Sequence, residues 1–429
     1  MNTTYFDALE TRDPAAREAA LMAALPAQLR AAQAVPALAE ILAGVDAQAI
    51  TSRAALAGLP VTRKQALLER QQAQRASDAV AWDPFGGFSA IGWRALRGTR
   101  VARRVYQSPG PIYEPEGMAS DGWRTARAMF AAGFRAGDLV HNSFSYHLTP
   151  GAWIMEGGAL ALGCTVFPGG VGNTELQLQA MEHLRPDGYV GTPSFLRILI
   201  EKAAEAGLVL PSLKKALLSG EAFPPSLRDW LAERGVAGYQ AYATADVGTI
   251  AYETAAREGL VIDEGVIVEI VRPGTHDPLP AGEVGEVVVT VLNPDYPLVR
   301  FGTGDLSAVL PGNCPTGRTN TRIKGWLGRA DQTAKVRGMF VHPSQVAEVL
   351  RRHPGLLKAR LVVEGEMASD RMTLKVEAAG APDGLADGLA DALATSVREV
   401  TKLRADVVLL APGTLPNDGR VIEDARKYG

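Results

Sequence analysis

Between Val101 and Phe301 one local pattern recurs: a short apolar run, a cluster of Gly, Pro or Asn, then residues at helical spacing. GDLVHNSFSYHL, ALGCTVFPGG, DGYVGTPSF and KKALLSG are four instances. Apolar runs this short read as buried strands, and their alternation with helices predicts a parallel α/β sheet. Ligands in such sheets sit in the loops beyond the strand ends, so these loops are the first places to look for a site. The segment VIVEIVRPGTHDPLPAGEVGEVVVTVLN then alternates apolar and polar residues, a period of two that predicts a β-meander or small barrel.

The flanks differ. PAAREAALMAALPAQLRAAQA and VTRKQALLERQQAQRA place apolar groups three to four residues apart, so residues 1–100 are expected to be mainly helical. DPFGGF interrupts that pattern. After the polar segment GRADQTAKVRG, 328–338, two helices and three strands are expected, enough for a separate α+β unit. The expected fold class is α/β, with a large N-terminal domain over 1–327 that includes a β-rich subdomain. A small C-terminal α+β domain covers 328–429.

The balance of 44 Lys+Arg against 47 Asp+Glu leaves no basic surplus for a nucleic acid. No apolar run reaches the ~18–20 residues that span a bilayer, and the start MNTTYFDALETRDPAAR is unlike a secretory signal. A cytoplasmic protein with no nucleic-acid or membrane partner is expected. Two cysteines, Cys164 and Cys314, make no disulfide framework.

Several loops carry residues suited to chemistry. VRFGTGDLSAV places Gly302 and Gly304 around a turn that presents Asp305, whose carboxylate can accept two hydrogen bonds from vicinal hydroxyls of a ribose. A lone G-x-G-D is more often a turn that caps its own backbone. YQAYATADVG places Tyr242, Thr244 and Asp246 in one loop. Asp246 is either a magnesium ligand or a turn residue. LLSGEAFPPSLRDWL is a strand-to-helix junction that can hold a flat base, and GGVGNTE at 169–175 is a weak phosphate-cradle pattern. His147, in NSFSYHLTPG, sits at an expected strand end. No histidine has metal-site spacing, and no nucleophile elbow or G-x-x-x-x-G-K-[ST] loop occurs.

Taken in order, NSFSYHLTPG, GGVGNTELQLQ, GTPSFLRILIEKA, SGEAFPPS, YATADVG, VRFGTGDLS, GRADQTAKVRG with HPSQVAEVL, and APGTLPNDGR resemble the phenylacetate–CoA ligase branch of the adenylate-forming (ANL) superfamily. The resemblance runs from about residue 100 to the end of the chain. It implies an ATP-dependent acid–CoA ligase acting on a small aromatic or compact carboxylic acid, with MgATP and coenzyme A as cofactors. It further implies a homodimer, and a C-terminal domain that rotates between the two half-reactions. By motif, Asp305 and Arg329 would take the ribose hydroxyls, Ser219, Gly220 and Glu221 would flank the adenine, and Tyr242, Ala243 and Thr244 would pack nearby. Asp246 would hold Mg²⁺, Asp331 would lie at the hinge, and Arg420 would face the reacting phosphate. Phe144, Tyr146, His147, Thr149, Gly191 and Thr192 would wall the acyl pocket.

Three departures from the branch are visible. YQSPGPIYEPEG, 106–117, stands where a glycine-rich phosphate loop is usual, and its Glu114 and Glu116 would repel a triphosphate. Arg420 stands where a lysine is usual. Cys314-Pro315-Thr316-Gly317-Arg318 keeps one cysteine of a zinc element, so no zinc is expected. These departures keep a second reading open: a binder of AMP, acyl-adenylate or acyl-CoA, or an enzyme of the thioester-forming half-reaction alone.

Overall fold

The computed structural model describes residues 4–76, 83–93, 101–273, 275–330, 332–337, 339–365, 370–378, 388–416 and 421–426. They fall into two compact units, Met1–Gly328 and Arg329–Gly429.

In the first unit Asp13 caps the helix Pro14–Gln33 by accepting from the Ala16 N–H at 2.9 Å, with Pro14 at its first position. Leu21, Leu25, Leu29 and Ala32 recur three to four residues apart along it and are buried. Leu25, Leu29 and Leu38 share one core with Ile267, Val289 and Phe301, so the helical start of the chain packs on a sheet. That sheet runs β1 (Thr62–Arg63), β13 (Phe301–Ser307), β12 (Gly285–Val291), β11 (Val266–Val271). Strands β11, β12 and β13 pair antiparallel, as the period of two predicts, while β1 joins β13 in parallel.

Among the described residues the larger sheet has nine strands. Its parallel half reads β5 (Thr165–Pro168), β4 (Leu139–Asn142), β6 (Gly188–Gly191), β7 (Lys215–Leu218), β8 (Ala237–Thr244). The antiparallel half continues through β9 (Gly248–Glu253), β10 (Leu260–Ile262), β15 (Arg322–Ile323) and β14 (Val309–Leu310). Met129, Phe134 and Met155 pack with Val140, Val190 and Leu217 of the parallel half. A separate hairpin of β2 (Arg104–Ser108) and β3 (Ile112–Glu116) has its Gln107 N–H on the Leu148 carbonyl at 2.8 Å.

In the second unit Leu356–Glu364 pairs antiparallel with Arg371–Ala378 and parallel with Ile422–Asp424. Asp406–Leu410 completes the sheet, and Val346, Val349, Leu393 and Val397 bring two helices onto it.

Arg300, immediately before β13, is wholly buried. Its guanidinium meets Glu269 of β11 through two contacts of 3.0 and 3.1 Å. It also donates to the carbonyls of Ala57 (2.6 Å), Leu59 and His276 (2.8 Å). Ala57 and Leu59 lie at the end of the helix Arg53–Ala57, where carbonyls lack intrahelical partners. One side chain therefore ties the helical start to two strands. Arg300→Leu would strand the Glu269 carboxylate in the core, so a loss of about 3–5 kcal/mol is expected. Thermal and urea unfolding would show it, and a negligible change would refute the assigned role.

Candidate functional site

The two sheets of the first unit meet where β8 passes β13. Asp305 is presented within strand β13, which corrects the expected turn; Gly304 before it takes φ +73°. Tyr242 and Thr244 likewise belong to strand β8, and only Asp246 sits in the following turn. A register shift between Tyr242 and Ala243 redirects the strand there. The Tyr242 hydroxyl lies 2.9 Å from Asp305 Oδ2 and 3.1 Å from Thr303 Oγ1. Trp326 Nε1 donates to Asp305 Oδ1 at 3.1 Å. Asp305 is 8% exposed, so its carboxylate is aimed and nearly desolvated before any ligand arrives.

The loops after β4, β6 and β7 gather a second group. Thr192 caps the helix Pro193–Glu205, the Ser219 N–H donates to the Gly191 carbonyl at 3.2 Å, and Glu221 Oε2 accepts from Ser194 Oγ at 2.6 Å. Gly220 has φ +81°, a conformation that favours glycine. A Cβ at Gly191 would lie 2.1 Å from the Tyr189 hydroxyl, so only glycine lets the chain pass there. Tyr146 donates to Glu156 at 2.8 Å, and its oxygen lies 3.0 Å from Asn142 Nδ2. Phe144 and Thr149 are half-buried, whereas His147 is exposed.

Sequence reading missed His141, Ser143 and Gln177. His141 stacks between Phe167 and Tyr189, with its Nε2 2.8 Å from Gln177 Oε1. Gln177 also accepts from Ser143 and donates to the carbonyls of Gly170 and Gly172, strapping GGVG onto β4. That segment's polar groups are thus partly spent within the protein.

Residues 106–117, expected to confront a triphosphate with two repelling carboxylates, fold instead as the β2–β3 hairpin with both glutamates held inward. Glu116 accepts from Arg104 at 3.0 Å and from the Tyr106 hydroxyl. Glu114 is fully buried and accepts from Ser108 at 2.5 Å. Burial and the neighbouring Asp246 carboxylate push its pKa well above the carboxylate range. The expected repulsion is therefore offset at Glu116 by Arg104, while Glu114 is turned into the core against Ser108.

Asp246, the expected magnesium ligand, is 4% exposed. Its Oδ2 accepts from Lys64 Nζ at 3.0 Å, and its Oδ1 is sealed from solvent. Mg²⁺ needs about six oxygens in a near-octahedral shell and keeps several waters. An aspartate sealed from water and facing an ammonium does not fit that demand. Among the described residues no group of three or more His, Cys, Asp or Glu stands ready for a metal. The Cys314 thiol lies 3.0 Å from the Thr316 hydroxyl and 3.5 Å from that of Thr254. In the second unit Arg329 is half-buried, with its guanidinium 5.7 Å from the Phe340 ring centre. Asp331 and Arg420 lie outside the described residues.

Sequence models of the AMP-binding enzyme family and of its C-terminal domain match residues 124–291 and 338–424. The chain is 33% identical to a phenylacetate–coenzyme A ligase of Thermus thermophilus, over 79% of this chain and 75% of that protein. The chain belongs to the AMP-binding enzymes, in the phenylacetate–CoA ligase branch of the adenylate-forming superfamily. The corresponding ligase of Aromatoleum evansii is 32% identical over 78% of this chain and 74% of its own length. A crystal structure of 2-hydroxyisobutyryl-CoA ligase, in complex with 2-HIB-AMP and CoA, superposes with a TM-score of 0.81. It covers 100% of this chain and 94% of that one at 25% identity. The α/β fold with a large and a small domain is that of these adenylate-forming enzymes, and the protein is an acid–CoA ligase. Among the described residues no helix is long and apolar enough to cross a membrane.

Burial lowers the pKa of His141, so the folded protein favours the neutral ring. Stability is then complete above the ordinary histidine value of ~6.5 and falls as pH drops from there towards the lowered folded value. Thermal melts from neutral pH down to about pH 5 are expected to show a smaller acid-induced drop in His141→Gln than in the parent. An equal drop in both would remove His141 as the cause.

Proposed function

We propose that the protein joins a compact, phenylacetate-like carboxylic acid to coenzyme A at the expense of ATP. The acid's carboxylate oxygen attacks the α-phosphorus, the bond to pyrophosphate breaks, and an acyl-adenylate forms. The CoA thiol, losing its proton, then attacks the acyl carbon, and the bond to AMP breaks.

The single observation that carries this reading is the Asp305 carboxylate, oriented by Tyr242 and Trp326 at the meeting of two sheets. A fixed, poorly solvated carboxylate is the acceptor that paired ribose hydroxyls require. Ser219, Gly220 and Glu221 flank the base in this reading, and Arg329 assists at the ribose. Phe144, Tyr146, Thr149, Gly191 and Thr192 border the acyl group, with the exposed His147 at its rim. Arg420 adds positive charge at the transferring phosphoryl group. The expected homodimer belongs to the same reading.

A panel of aromatic and short aliphatic acids, scored for pyrophosphate release and acyl-CoA by mass spectrometry, tests it; silence in both channels overturns it. Asp305→Asn is expected to raise KM for ATP about tenfold or more, as loss of a charge-assisted contact would. An unchanged KM would free Asp305 of the role.

A second reading is favoured by one observation: the segment 106–116 is a strand hairpin with inward glutamates. Under it the protein uses a ready-made acyl-adenylate, or only binds adenylates. Calorimetric titration with ATP and with AMP separates the two. Binding of AMP without ATP would favour the second, and comparable binding of both would favour the full ligase.

A further inference from the structure

The mismatch between Asp246 and magnesium has a structural counterpart in Lys64. Parallel pairing of β1 with β13 sets Thr62 beside Phe301 and Arg63 beside Gly302. The next residue, Lys64, opens the helix Lys64–Ala76 just past this pairing, while β13 runs on to Asp305. Its ammonium meets Asp246 Oδ2 at 3.0 Å; the lysine side chain is 33% exposed and the aspartate's only 3%. The carboxylate thus sits behind and the cation towards solvent.

Glu114 closes the back of this cluster. It is fully buried, bonded to Ser108, and lies against Asp246. Glu114 Oε2, Asp246 Oδ1 and the Tyr296 hydroxyl are all sealed from water. Asp246 thus gives one oxygen to Lys64 and keeps the other shut away from water, which leaves no open oxygen for a hydrated Mg²⁺. Such a cluster does not call for a second cation. It holds an ammonium at a fixed place against the turn that follows Tyr242 on β8, and just past the pairing of β1 with the strand that carries Asp305.

We propose that Lys64, fixed from behind by Asp246 and Glu114, is the cation that meets the phosphate of a bound nucleotide, so that nucleotide binding needs no divalent metal. The ligand class is an adenosine phosphate or a mixed anhydride of AMP. The inference rests on the nucleotide reading of Asp305 given above and adds to it a phosphate contact from the first unit. An ammonium is a compact point charge with three donors, suited to phosphate oxygens without a strict geometry.

The test is calorimetric titration of the full chain with AMP and with ATP, each in magnesium and in EDTA, for the parent, Lys64→Met and Lys64→Arg. Parent affinities are expected to agree within about threefold between magnesium and EDTA. Lys64→Met should weaken binding about tenfold or more in both, and Lys64→Arg should restore most of it, as expected for a charge-assisted contact. Thermal melts accompany each variant; if Lys64→Met is unfolded, the parent's metal dependence and the Lys64→Arg affinity decide. Binding by the parent that vanishes in EDTA overturns the inference and leaves the nucleotide reading standing. Folded Lys64→Met that binds as the parent does has the same consequence. A parent that binds neither nucleotide in either buffer overturns the nucleotide reading itself.

Discussion

Tyr242 and Asp305 lie on different sheets, and the 2.9 Å contact between them is the constraint on which the candidate site depends. Strand β8 must turn its tyrosine across the gap, and the register shift after Tyr242 accompanies that turn. Strand β13 must bring Asp305 close with little bulk around it, and Gly302 and Gly304 provide this. A Cβ at Gly302 would come within 2.6 Å of Glu286 Oε1. Thr303 shares the tyrosine hydroxyl, and Trp326 takes the other carboxylate oxygen. Holding a desolvated carboxylate this way costs stability locally, and the surrounding apolar core offsets it.

The helical start of the chain is part of the same construction. Glu10 is buried against Arg318 and Tyr252, at 2.6 and 3.0 Å, and Arg17 meets Glu264 at 2.9 Å. These are desolvated pairs, which act as address labels as much as sources of stability, since either partner alone in the core is strongly unfavourable. With Arg300 they fix where the segment 53–64 enters the β-rich sheet, and thus where Lys64 emerges.

The parallel half of the fold was legible because its signal is local. LVHN, TVFP, GYVG and KALL are apolar or small-residue runs of strand length followed by loop residues, and each is a strand. Asp305 reads as a turn residue in the sequence yet lies within strand β13, since alternating glycines erase the period-two pattern that marks a strand. Lys64 carried no signal at all, and Glu114 was legible only as a charge that would repel phosphate, not as a buried neighbour of Asp246. Lys64 meets Asp246 across 182 residues of sequence, and a lysine opening a helix looks like ordinary surface. His141 was equally silent, since a histidine inside an apolar run gives no hint of the glutamine that will hold it. Order of motifs revealed the family, while charge compensation appeared only once distant segments were brought together.

The two-residue strand β1 has a consequence for how this protein can be divided. The stretch that matches the AMP-binding enzyme family, 124–291, looks like a portable module, yet it contains neither Lys64 nor Asp305. Both arrive from outside it, through a pairing of two residues on each strand. A chimaera that exchanged that stretch between relatives would inherit Tyr242 and Asp246 while taking their partners from the host. Its pockets could be new, but its charge arrangement would be decided at seams remote from them.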